Sequence, residues 1–189
     1  MPISKATRRS HISHLEFVDF DAWMEGQMNL FRQAYHKAPF YDETQSFLEA
    51  FRSAAHTCSS SCAILCESVR SVCEHLGIAT SIVWPHRPPS WEQELDGMSD
   101  ADARRHRRIF RLCADYEATH YLNLPGGKSL YSPDEFKQQG LGLQFINVDF
   151  HSLTSLGLEH ADASIIHAMM HLGKDQLNRA LTNPAPSHA

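Results

Sequence analysis

His120-Tyr121-Leu122-Asn123-Leu124-Pro125-Gly126-Gly127-Lys128-Ser129-Leu130-Tyr131-Ser132-Pro133-Asp134-Glu135 is the stretch on which the fold reading turns. Residues 120–124 read as a strand, and Pro125-Gly126-Gly127-Lys128 ends it. Ser132-Pro133-Asp134-Glu135 then has the form of a capping box, with serine at the cap, proline in the first turn and glutamate three residues on. It predicts a short helix ending near Gly140, and the apolar run from Leu141 to Asp149 predicts the next strand. A strand, a helix and a second apolar strand in succession call for a crossover connection and parallel pairing.

The same alternation extends outward. His11–Phe20 interleaves Ile12, Leu15, Phe17 and Phe20 with polar residues and reads as a strand. Asp21 is placed to cap a helix reaching about Lys37, which Pro39 stops. Asp42 caps a second helix, striped by Phe47, Leu48, Phe51, Ala54 and Ala55. A third runs from about Ser59 to Leu76, and Gly77 supplies its stop. Ile78–Trp84 reads as a buried strand, and Pro85, Pro88 and Pro89 open a loop. Ser99 is placed to cap a helix to about Tyr116, and Ala161–Leu172 forms the last helix, closed by Gly173. The pattern predicts an α/β layered domain with a small, largely parallel sheet flanked by helices. Its expected parts are a loose arm over residues 1–10, one domain over 11–175 and a disordered tail over 176–189.

With 22 acidic and 17 basic residues among 189, the net charge is −5, the wrong sign for a general nucleic-acid binder. No apolar run is long enough for a membrane span or a signal peptide. Five cysteines, an odd number without an export signal, suit reduced thiols in the cytoplasm. Cys58, Cys62, Cys66 and Cys73 are spaced as a helix stripe, which favours small buried thiols over a metal cluster.

Thirteen histidines against five lysines ask for an explanation. His167 and His171 share one helix face, as in zinc proteases, but Ala168 stands where those enzymes need a glutamate base. His160 is the third residue of a conceivable metal set, with a solvated helix face as the plainer reading. Arg104, Arg108 and Arg111 form a basic helix face that suits phosphate, although pairing with acidic neighbours is favoured over it. Ligands of parallel sheets bind beyond the carboxyl ends of the strands. This singles out Gly126, Gly127, Lys128 and Tyr131 as substrate-binding residues. It also singles out His151 as a general acid or base, with Asp149 to orient it. No nucleotide-triphosphatase loop is complete here, and no cofactor is implied.

Tyr35-His36-Lys37-Ala38-Pro39-Phe40-Tyr41, Leu76-Gly77-Ile78-Ala79-Thr80, Tyr121 through Tyr131 with Phe136 and Gly140, and Ser164 through Gly173 follow one another as in the WbqC-like family. The chain resembles that family over about residues 10–175. The resemblance implies a bacterial, cytoplasmic protein of O-antigen or other surface-polysaccharide biosynthesis. A transferase-type enzyme acting on a small nucleotide-sugar or phosphate-bearing substrate is expected. It also implies a front shortened by the family's Gln-Pro motif region, so that the chain matches the C-terminal two-thirds. Where the family tends to have Asp and Asn, this chain has His167 and His171. His151 matches a histidine whose following proline and tyrosine are here replaced. A non-catalytic ligand-binding module, completed by a partner protein or a separate N-terminal segment, is the alternative. A histidine-ligated metal-binding protein is the third reading.

Overall fold

The computed structural model describes Ile3 and residues 15–84, 89–146 and 151–182, with the backbone alone at 151 and 152. They fall into two compact units, Met1–Val83 with Phe150–Ala189, and Trp84–Asp149. The architecture is helical with a small parallel sheet, an α/β fold.

The first unit is built from α1 (Phe20–Tyr35), α2 (Tyr41–Ala55), α3 (Ser61–His75), α7 (His151–Thr154) and α8 (Ile165–Thr182). Its core gathers Met24, Phe47, Leu48, Leu76, Leu158 and the α8 residues Ala168, Met169, Met170, Leu172 and Leu177. The cap of α1 is Asp19, whose side chain accepts the Ala22 N–H at 3.0 Å, so the helix opens two residues before the expected Asp21 and includes Phe20. Phe20 thereby packs edge-on to Phe51. The expected strand over 11–20 is reduced to one antiparallel bridge, Ile3 with Phe17. Residues 11–14 lie outside the described residues.

Helix α2 starts at Tyr41 without a side-chain cap, because Phe40 at the cap position has no side-chain oxygen, and the Phe40 N–H donates to the Met170 carbonyl of α8 at 3.1 Å. Asp42 and Glu43 instead complement the positive end of the helix. Ser60 caps α3, and Gly77, at φ +66°, ends it as expected. Residues 78–84 do not form the expected strand: among the described residues they pair with no neighbour, and most of them are exposed.

Gly173 does not close the last helix. It sits at φ 67°, ψ 169° between two helical stretches, and the second continues to Thr182. Residues 176–182, expected in the tail, are therefore helical; 183–189 lie outside the described residues. The second stretch can start because the Glu43 carboxylate accepts the Lys174 N–H at 2.9 Å. Asn178 then donates to the Leu76 carbonyl at 2.6 Å and ties it to the end of α3.

The second unit holds α4 (Glu92–Asp96), α5 (Ala101–Asp115), β1 (His120–Asn123), α6 (Pro133–Gln138) and β2 (Gly142–Phe145). The strands pair in parallel, His120 opposite Gly142 through Asn123 opposite Phe145. Ile109, Cys113 and the fully buried Phe136 form the core, with Tyr121 and Leu143 of the two strands packed on it. Asp100, not Ser99, caps α5, accepting from the N–H groups of Asp102 and Ala103. The capping box before α6 does not form. Ser132 makes no side-chain cap bond, and the Glu135 carboxylate, which would accept the Ser132 N–H, lies 3.1 Å from His106 Nδ1 of α5 instead. Among the described residues no helix is long and apolar enough to cross a membrane.

Candidate functional site

The turn after β1 is folded on itself. Pro125–Gly127 make one 3₁₀ turn, and the N–H groups of Gly127, Lys128 and Leu130 donate to Leu124, Pro125 and Gly127 carbonyls. Gly127 is buried, and a Cβ there would collide with the Asn123 amide and press on Tyr131 at 3.3 Å. Glycine is thus required for close packing of the turn. Gly126 faces open space. With those N–H groups spent, the charge in the turn is the Lys128 ammonium, 6.0 Å from the Phe145 ring of β2. Lys128 is exposed and has no ion-pair partner among the described residues.

Tyr131 is a wall of this turn. Its ring lies 5.3 Å from His106, 5.9 Å from Tyr121 and 5.9 Å from Phe136. Burial, then the neighbouring Tyr131, pushes the Tyr121 phenol above its ordinary value. The structure thus brings Gly126, Gly127, Lys128 and Tyr131 together at the carboxyl end of β1. Asp149 lies outside the described residues, and His151 opens α7 in the other unit.

The C-terminal histidines form a second group. His167 and His171 stand one turn apart on α8, ring centres 4.6 Å apart, with Tyr35 of α1 at 5.8 and 6.0 Å. His167 Nε2 lies 2.8 Å from the Glu159 carbonyl, which fixes the proton on that nitrogen. Nδ1 is then free to accept the Tyr35 hydroxyl at 3.3 Å. Both ring nitrogens of His167 are thus committed to protein partners. His160 sits in a turn at φ 54°, and among the described residues no three His, Cys, Asp or Glu side chains are grouped to hold a metal ion.

Burial, then His167, depresses the His171 pKa, against a smaller opposing pull from Glu159. Burial likewise depresses that of His75, helped by Lys174 and opposed by Glu43. Both groups bind fewer protons folded than unfolded, so stability is complete above the ordinary histidine value near 6.5 and falls as pH drops below it. Denaturation midpoints compared at pH 7.5 and 5.5 are expected to fall in the wild type and to fall less in the His75→Gln, His171→Gln double variant. An equal fall in both would refute the assignment.

Tyr35 was visible in the sequence only as part of a segment. Its meeting with His167 spans 132 positions, which no local spacing encodes. The basic face of α5 resolves as the favoured reading has it, with arginines paired to acidic neighbours. Arg108 is ion-paired with Glu92, and Arg111 lies 3.8 Å from Glu94, so Arg104, Arg108 and Arg111 are not one free phosphate face. The cysteines are free thiols, and burial raises the pKa of Cys58, Cys66 and Cys113, keeping them protonated and inert.

No curated protein and no solved structure matches the chain. A family model described as the WbqC-like protein family matches residues 1–179, most of its length, and the chain belongs to that family.

Proposed function

We propose that the protein is a biosynthetic enzyme of the transferase type. It acts on a small activated substrate, a nucleotide sugar or another phosphate-bearing molecule, in surface-polysaccharide formation in the cytoplasm. The observation that carries this reading is Lys128. It is an exposed cation without an acidic partner among the described residues, set at the carboxyl end of a parallel strand on a glycine turn. A lone ammonium in that place suits the anionic part of an activated substrate as a point charge. Family membership supports the same class of role. His151 is the proposed general acid or base and Asp149 the group that orients it, since imidazole transfers protons near neutral pH.

The test is turnover of a panel of nucleotide sugars, read as release of the nucleoside diphosphate. Lys128→Ala is expected to raise KM by about tenfold, the loss of one charge-assisted contact. His151→Ala is expected to lower kcat by about a hundredfold or more, as loss of a general acid or base does. Turnover unchanged in both variants would remove the assignment. A folded chain that turns over none of the panel would favour the non-catalytic module.

A further inference from the structure

The exposed side of α5 carries a groove of about 430 Å³ that the Lys128 turn does not line. That is the size of a small-molecule site. Its walls are Arg107 and Arg111, four residues apart and so on one face, with Phe110 between them and Gln139 from the end of α6 opposite. Ala103 and Ala114 end at Cβ and leave the Phe110 ring open to the groove. A second hollow of about 290 Å³ continues it past Phe110, Ala114 and Gln139 to Glu117.

The charges in the groove are arranged with a direction. Arg107 is exposed and has no carboxylate partner among the described residues. Among the described residues Arg111 has only Glu94, 3.8 Å away, with both side chains exposed, a pair too long and too wet to hold the guanidinium against a better anion. His106 adds no free donor, since its ring nitrogens face the Leu130 carbonyl and Glu135, and it serves as a fixed wall. Phe110 is itself braced, edge-on to the buried Phe136 at 5.0 Å. The groove therefore runs from two guanidinium groups, past an aromatic ring and an amide, to a carboxylate. Paired guanidinium groups take phosphate bidentately, an aromatic ring stacks on a flat ring, and a carboxylate accepts from hydroxyl or N–H groups.

We propose that this groove binds a nucleoside diphosphate, with the phosphates at Arg107 and Arg111, the base over Phe110 and Ala114, and its hydrogen-bond donors toward Glu117. The site is separate from the Lys128 turn and does not rest on the reading given for it. Titration calorimetry of the full chain with UDP, ADP, uridine, adenosine and pyrophosphate tests it. At least one nucleoside diphosphate is expected to bind, about tenfold or more tighter than its nucleoside or pyrophosphate. Binding is expected to weaken by about tenfold or more in the Arg107→Ala, Arg111→Ala double variant. It is expected to vanish in Ala114→Trp, which fills the groove from an exposed helix position. Lys137→Ala is expected to leave it within about twofold, as for an exposed charge that does not line the groove. Circular dichroism confirms that the variants are folded. Absence of binding to the wild type overturns the proposal, as does pyrophosphate binding as tightly as the nucleotides. Binding lost in Lys128→Ala and kept in both groove variants also overturns it, and moves the nucleotide to the turn after β1.

Discussion

Replacing Gly173 by alanine is expected to destabilise the first unit by about 3–5 kcal/mol, the sum of backbone strain and overpacking. At φ 67°, ψ 169° the residue occupies a region open in practice to glycine alone. A Cβ there would stand 2.5 Å from the Phe40 ring, whose own N–H is fixed on the Met170 carbonyl. The chain must bend at this point so that the Lys174 N–H meets Glu43, and so that Leu177, fully buried, and Asn178 meet the core and the end of α3. Urea denaturation followed by circular dichroism measures the loss. Phe40→Ala in the same chain removes the collision and leaves the strain. The two substitutions together are therefore expected to cost less than their sum by about 1–3 kcal/mol. A Gly173→Ala variant within 1 kcal/mol of the wild type would show that the bend is not what holds α8 in place.

That bend also shows where sequence reasoning stops. A glycine after an amphipathic run ordinarily marks a helix end, because it takes a positive φ at no cost. Gly77 obeys this and Gly173 does not, although both have positive φ. What separates them is a carboxylate 131 positions away, Glu43, ready to accept the next N–H. The crossover from β1 through α6 to β2 was legible because its signals are local: two short apolar runs, a glycine turn and a proline at the first helical position. The reading of residues 78–84 failed because β-branched composition reports fitness for a half-buried pleated surface, not the presence of a partner strand. The glycine turn with Lys128 was legible for the same local reasons. The Tyr35 to His167 contact was not, and neither was the diversion of Glu135 from Ser132 to His106. In each case a side chain with a local use was drawn to a distant partner.

The second unit is where a single truncation should cost most. Phe136 is wholly buried, and its ring meets Phe110 at 5.0 Å, Tyr121 at 5.5 Å and Tyr131 at 5.9 Å. Among the described residues, Ile109 and Cys113 are the other buried members of its core. Phe136→Ala is therefore expected to cost about 3–5 kcal/mol, the usual loss for an aromatic ring in a packed core. A unit spanning residues 84–149 has little surplus stability against such a loss. The effect should be local. Hydrogen exchange is expected to lose its protection in α5, β1 and β2 while α2 and the first half of α8 keep theirs. Because Tyr131 leans on Phe136 and also walls the turn that carries Lys128, the same variant should lose any ligand bound there. The first unit would remain folded. Phe136→Leu, which keeps most of the buried volume, should restore both protection and binding in large part. Equal loss of protection in both units in Phe136→Ala would mean that they unfold as one, and that the core around Phe136 supports the whole chain.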